Sequence, residues 1–159
     1  MTLASEAVAA LVSRGWTLGV AESLTGGAVC AEIVAVPGAS AVLWGGVVAY
    51  ATPVKHSVLG VDADLLAEHG PVHARVALQM AEGVRGAVAV GRRADVGIAT
   101  TGIAGPDSPD GQPVGTVHIA IVTPDGAVSE SYRFLGDRAT IRARSTDAVL
   151  SALRRLVGE

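Results

Sequence analysis

A serine and two glycines follow an apolar segment in the stretch GVAESLTGGAVCAEI, residues 19–33. Ser23 comes directly after a predicted strand over 16–22, and a helix is predicted over 24–35. The N–H groups at a helix start carry partial positive charge, and Gly26 and Gly27 let an anion approach them closely. The stretch therefore suits a nucleophilic serine beside an oxyanion site, although Ser23 or Thr25 could instead be a simple N-cap.

The same stretch lacks the two common phosphate-binding signatures. No Lys-Ser or Lys-Thr pair follows Gly27 at Walker spacing, and the glycines do not form G-x-G-x-x-G. The serine itself is therefore the feature that could carry chemistry.

A nucleophilic Ser23 needs a neighbouring base, because a free serine hydroxyl reacts poorly at neutral pH. No histidine lies near an acid at a recognisable triad spacing, so we expect packing or surface positions for all four: His56, His69, His73 and His118. Cys30 lies inside the predicted helix, where a small buried thiol is usual. Lys55 remains, the only lysine among twelve basic residues, and an amine can lose a proton that a guanidinium keeps. The alternative is that Lys55 is a lysine retained by chance in a chain whose composition favours arginine.

Three polar residues are predicted to meet at one sheet edge. The β-branched and aromatic segment 42–50 predicts a strand that ends at Tyr50, and Pro53 suits the first turn of a helix that carries Lys55. Carboxyl ends of neighbouring parallel strands share an edge, so Ser23, Tyr50 and Lys55 could come together there.

The remaining pattern indicates an α/β fold in a single domain, residues 1–159. Helices alternate with strands until Asp125-Gly126, a hairpin signal, so we expect a mixed, mostly parallel sheet covered on both faces. Further helices are predicted over 3–14, 62–69, 73–88 and 137–156, a strand over 94–102, and a long polar loop over 102–113.

Composition argues against several classes of partner. The net charge is −3, which gives no support for nucleic-acid or anionic membrane binding, and no apolar run approaches the ~18 residues of a membrane span. The chain has a single cysteine and shows no basic n-region followed by an apolar h-region at its start, so we expect a cytoplasmic protein.

Several separated motifs resemble one known family, the CinA C-terminal-domain family of PncC-type nicotinamide-nucleotide amidohydrolases. They are AESLTGG (21–27), GGVVAYATPVKHSVLGV (45–61), VALQMAEG (76–83) and TTGIAGP…QPVGTVHIA (100–120). The resemblance covers nearly the whole chain. It implies a three-layer α/β/α domain that hydrolyses the carboxamide of nicotinamide mononucleotide to nicotinate mononucleotide and ammonia, with no metal and no cofactor.

The resemblance also implies roles for individual residues. Ser23 corresponds to the nucleophile, and Lys55 with Tyr50 to the groups that activate it. Thr101 and Gly102 correspond to the loop that lines the substrate pocket. The chain departs from the family in three places, which leave substrate preference open: Leu24 for cysteine, His73 for serine within GPVH (70–73), and Gln112 for lysine.

This chemistry requires a neutral Lys55, whose pKa must fall by about three units through burial or a nearby cation. Tyr50 could relay the proton or hold Lys55. We expect the oxyanion to bind N–H groups of Thr25–Gly27 or of the 101–105 loop.

The other parts of the nucleotide need their own contacts. We expect Glu22 on the ribose hydroxyls or in solvent, and the phosphate on Arg138 or Arg142.

Three other hypotheses stay open: an amidase for another small carboxamide, a nucleotide-binding module without turnover, and a structural or interaction protein. The expected partner is a small-molecule nucleotide, and a homo-oligomer, dimeric or larger, is left open.

Overall fold

The computed structural model describes residues 1–159, which form six α-helices and five strands. The helices are α1 (Leu3–Arg14), α2 (Ala28–Val34), α3 (Thr52–Ser57), α4 (Ala63–His69), α5 (Ala74–Ala87) and α6 (Arg138–Val157). The strands are β1 (Leu18–Glu22), β2 (Leu43–Val48), β3 (Val96–Gly102), β4 (Thr116–Thr123) and β5 (Gly126–Arg133). All the predicted elements are present. The sequence missed a short 3-10 helix, Ala39–Ala41, and placed the start of α2 four residues too early. None of the helices has both the length and the apolar character to cross a membrane.

The sheet is mixed, with strand order β2-β1-β3-β4-β5. β1 pairs in parallel with β2 and β3, whereas β4 pairs antiparallel with β3 and β5. The expected mostly parallel sheet is therefore confirmed only in part. Parallel pairing needs a crossover connection, but β3 continues into the loop 103–115 and the chain returns directly as β4.

Helices cover both faces of the sheet, as predicted for three layers. One core lies under α1, α2 and α6, where the sheet contributes large aliphatic side chains: Leu18, Val20, Ile98, Ile119 and Ile121. The other core lies under α4 and α5, where the sheet contributes Ala21, Ala99 and Ala120. A Cβ at Gly97 would lie 1.8 Å from the Ala81 carbonyl oxygen, so this glycine lets α5 lie directly on the sheet.

The carboxyl ends of the three parallel strands lie at one edge, as the topology of a parallel sheet requires. Ser23 follows β1, Tyr50 lies two residues beyond β2, and Gly102 ends β3. Three residues separate the end of β2 from the start of α3, which carries Lys55. The fold therefore brings these polar residues to a common region.

Candidate active site

Ser23 lies in a tight turn between β1 and α2 and is only 7% exposed. Its N–H donates to the Thr100 carbonyl at 3.2 Å, and its carbonyl accepts from the Gly26 N–H at 3.1 Å. α2 begins at Ala28, and its N-cap is Gly27 at φ 106°, a conformation that favours glycine. Neither Ser23 nor Thr25 caps α2, so the N-cap alternative is wrong for both residues.

Lys55 brings its amine to Ser23 from α3. Its Nζ lies 3.0 Å from Ser23 Oγ, 2.6 Å from the Ala49 carbonyl oxygen and 3.3 Å from that of Tyr50. The side chain is 1% exposed and forms no ion pair. Burial lowers the pKa of Lys55 from 10.5 to about 8, the direction expected from the sequence. Ser23 thus has a buried amine within proton-transfer distance.

A cavity of about 540 Å³ opens beside Ser23 and Lys55. The end of β3 and its loop line one wall: Thr101, Gly102, Ile103, Ala104 and Gly105. Thr101 Oγ1 donates to the Pro71 carbonyl at 2.7 Å and holds the opposite segment in place. A Cβ at Gly102 would lie 2.7 Å from the Thr116 carbonyl oxygen, so only glycine fits there. The volume is in the range of small-molecule sites.

The backbone N–H groups of Leu24, Ala104 and Gly105 lie in the cavity wall and donate to no other protein atom. Unsatisfied N–H groups next to a nucleophile are the usual donors to an oxyanion. Leu24 directly follows Ser23. By contrast, Thr25, Gly26 and Gly27, the first region expected to hold an oxyanion, lie outside the cavity lining. The structure therefore favours the 101–105 loop together with Leu24.

The end of α2 that was expected to bind an anion is occupied by Glu22. This side chain is fully buried, and its carboxylate accepts from the N–H groups of Val29 and Cys30 at 2.9 and 3.0 Å. A carboxylate is favourable at a helix N-terminus because it offsets the helix dipole. The expectation that Glu22 contacts ribose or solvent is therefore wrong, and its role is to fasten β1 to α2.

Tyr50 contacts Lys55 through its main-chain carbonyl rather than its phenol. Its side chain is 61% exposed at the cavity rim, where the hydroxyl accepts from Arg138 Nη2 at 3.2 Å. Side chains alternate along an extended chain, so the buried Ala49 before it leaves Tyr50 facing outward. The phenol therefore contacts neither Ser23 nor Lys55, and a proton relay through it has no support.

The two arginines considered for phosphate have different surroundings. Arg138 lines the cavity and donates to the Gly105 carbonyl at 2.6 Å, but it has no carboxylate partner. Arg142 donates to the carbonyls of Leu24 and Thr25 at 2.9 and 3.1 Å and does not line the cavity. Arg142 is therefore wrong as a phosphate ligand, since its guanidinium braces the turn that carries Ser23.

The other potential nucleophiles and bases lie outside the cavity. Burial and then the Glu22 carboxylate raise the pKa of Cys30 to about 12, which keeps the thiol protonated. None of the four histidines lines the cavity, as expected. No group of three or more His, Cys, Asp or Glu side chains is arranged to hold a metal ion.

The three departures from the family pattern all lie at or near the cavity. Leu24 lines it. His73 Nδ1 accepts from the Arg75 N–H at 3.1 Å and so caps α5, while Gln112 Nε2 donates to the Val72 carbonyl at 3.0 Å. His73 and Gln112 therefore both support the segment that carries Val72 into the cavity wall.

Sequence reasoning missed several parts of the wall. By sequence, Leu24 is only a departure from the family pattern and Asp107 only a member of a long polar loop, whereas both line the cavity. The density of proline and glycine over 102–113 was the available signal, because long irregular loops commonly carry binding residues.

Comparison with known proteins finds relatives that match nearly the full length of this chain. A CinA-like protein from Frankia casuarinae is 49% identical over 147 residues, which is 92% of this chain and 33% of that protein. A CinA-like protein from Gloeobacter violaceus is 46% identical over 157 residues, 97% of this chain and 36% of that protein. The chain thus spans about a third of the length of these curated relatives.

Solved structures agree with the fold. A competence-damaged protein (CinA) superfamily structure from Klebsiella pneumoniae matches with TM-score 0.91 and 34% identity, covering 98% of this chain and 96% of that one. A competence/damage inducible protein from Agrobacterium tumefaciens matches with TM-score 0.90 and 32% identity, over 99% and 94%. The family model for the CinA C-terminal domain matches residues 1–157. The chain belongs to the CinA C-terminal domain family.

Proposed function

We propose that this chain hydrolyses the carboxamide of nicotinamide mononucleotide to nicotinate mononucleotide and ammonia, with Ser23 as nucleophile and Lys55 as base. The observation that carries the proposal is the 3.0 Å contact between Lys55 Nζ and Ser23 Oγ at a cavity of about 540 Å³. The substrate comes from the resemblance of AESLTGG and TTGIAGP to the amidohydrolases.

Acylation begins when neutral Lys55 accepts the proton of Ser23, and the serine oxygen attacks the carboxamide carbon. The carbonyl oxygen becomes an oxyanion, which the N–H groups of Leu24, Ala104 and Gly105 are free to bind. Protonated Lys55 then gives its proton to the amide nitrogen. The C–N bond breaks, ammonia leaves, and Ser23 carries an acyl ester of the nucleotide.

Deacylation repeats the same steps with water. Neutral Lys55 accepts a proton from the attacking water, which adds to the ester carbon, and the bond to Ser23 breaks. The serine oxygen recovers a proton from Lys55, and nicotinate mononucleotide leaves. Carbonyls of Ala49 and Tyr50 hold the amine in place through both stages.

The cavity rim supplies a contact for the phosphate. Arg138 has hydrogen bonds only to neutral acceptors, the Gly105 carbonyl and the Tyr50 hydroxyl, so its charge is available to an anion. Tyr50 orients that guanidinium and forms part of the wall. Thr101 and Gly102, the last two residues of β3, form another part of the wall.

The test is ammonia release from a panel of carboxamides, with both products of nicotinamide mononucleotide quantified by chromatography. We expect turnover without added metal, and higher kcat/KM for the mononucleotide than for nicotinamide riboside or nicotinamide. Turnover of none of them by folded protein would contradict the proposal.

Two other results would support the alternatives, one from the panel and one from thermal unfolding with added nucleotide. Preference for another small carboxamide would support a different amidase, for which the Gln112 and His73 contacts around Val72 are the specific observation. Nucleotide-induced thermal stabilisation without turnover would support a binding module.

A further inference from the structure

Asp107 is a charged residue of the cavity wall that the proposed mechanism does not use. It lies in the loop after β3, lines the cavity and is exposed. Its carboxylate forms no ion pair within the chain. The only other acid in the lining is Asp110, whose carboxylate accepts from Ser108 Oγ and from both nitrogens of Gln112. Of the two acids, only Asp107 is left with its acceptors free.

Asp107 and Arg138 share the rim of the cavity without neutralising each other. Arg138 Nη1 donates to the Gly105 carbonyl, two residues before Asp107, yet no oxygen of Asp107 lies within 4.0 Å of a guanidinium nitrogen. The rim therefore offers an unpaired carboxylate and an unpaired guanidinium at separate positions. Such a pair suits a ligand that carries both hydroxyl donors and an anion.

A mononucleotide that places its carboxamide against Ser23 extends its sugar and phosphate towards this rim, because Ser23 and Lys55 are buried whereas Asp107 is exposed. A carboxylate repels the phosphate and so leaves it to Arg138. A vicinal diol, by contrast, can donate two hydrogen bonds to the two oxygens of one carboxylate.

We propose that Asp107 binds the ribose hydroxyls of the substrate and so selects ribosylated carboxamides over free ones. Glu22, which the sequence suggested for this contact, is unavailable because its carboxylate is bound to α2. The inference rests on the proposed function. It adds a determinant of specificity that acts on substrate binding rather than on the chemical step.

The test is a binding cycle in a Ser23→Ala background, which prevents turnover. Nicotinamide mononucleotide and its 2′,3′-dideoxy analogue are titrated calorimetrically into Ser23→Ala and into Ser23→Ala with Asp107→Ala. We expect loss of the hydroxyls to weaken binding about tenfold or more when Asp107 is present, and less than about twofold when it is absent. Asp110→Ala is the matched control, because the Asp110 carboxylate is held within the loop. In that variant, loss of the hydroxyls should still weaken binding about tenfold or more.

The outcomes separate this inference from the function on which it rests. Wild-type turnover of the mononucleotide with an equal hydroxyl effect in both backgrounds would overturn the role of Asp107 alone. Absence of both turnover and binding would overturn the proposed function and the inference together. Melting curves of each variant check that the exposed loop substitution leaves the fold intact.

Discussion

Burial of Lys55 predicts the shape of the pH–rate profile. With a pKa of about 8, only about 9% of Lys55 is neutral near pH 7, about half near pH 8 and about 90% near pH 9. Only the neutral amine can accept the Ser23 proton, so kcat/KM should rise about fivefold between pH 7 and 8 and then level off. A lysine at the ordinary value of 10.5 would instead give about a tenfold rise per pH unit through pH 9.

The assay is initial-rate hydrolysis of nicotinamide mononucleotide from about pH 6.5 to about pH 9, with the product acid measured by chromatography. Constant ionic strength keeps the screening of Arg138 unchanged. A flat profile across this range would refute the assignment of Lys55 as the base, and a rise that continues without a plateau would refute the lowered pKa of its amine.

Lys55→Arg separates proton transfer from charge at the same position. Guanidinium stays protonated, so a base role predicts near-complete loss of activity, while a purely electrostatic role predicts that much of the rate remains. A Lys55→Arg variant with a substantial fraction of wild-type turnover would rule out proton acceptance by Lys55.

Four further substitutions test the surrounding contacts. Cys30→Ala should leave kcat unchanged, because the thiol stays protonated and lies outside the cavity, and steady-state rates check this. Tyr50→Phe should keep most of kcat and raise KM a few-fold, because the phenol contacts only Arg138; loss of kcat would restore a relay role. Arg138→Ala should raise KM for the mononucleotide about tenfold or more and leave the riboside nearly unaffected, as measured with both substrates. In urea unfolding, the free energy of unfolding of wild type should increase by up to about 3 kcal/mol as pH rises from about 8 to 10.5, because in this range Lys55 stays protonated mainly in the unfolded chain. Lys55→Met should lack this increase.

The sequence predicted the layers and the meeting of Ser23 with Lys55 because both depend on local pattern and strand topology. Hydrophobic periodicity located the helices and strands, and parallel strands necessarily bring their carboxyl ends to one edge. A sole lysine near that edge was a compositional signal. The 3.0 Å contact between the two side chains is made possible by the short connection of three residues between β2 and α3.

The errors arose where side chains compete for the same backbone groups. Glu22 and Arg142 have charges that suit a ligand contact. The Glu22 carboxylate, however, already accepts from N–H groups of α2, and the Arg142 guanidinium already donates to carbonyls of the turn after Ser23. The local sequence pattern does not determine which polar side chain forms a hydrogen bond with a given backbone N–H or carbonyl group. The outward direction of Tyr50 likewise depends on a residue alternation that continues past the end of β2.

The most direct test of the Ser23–Lys55 assignment compares wild type with Ser23→Ala on nicotinamide mononucleotide, with both nicotinate mononucleotide and ammonia quantified. We predict equimolar products from wild type and none from Ser23→Ala, which should still bind the nucleotide because Arg138 and the cavity wall are unchanged. Turnover by Ser23→Ala would contradict the account, as would the absence of turnover by correctly folded wild type.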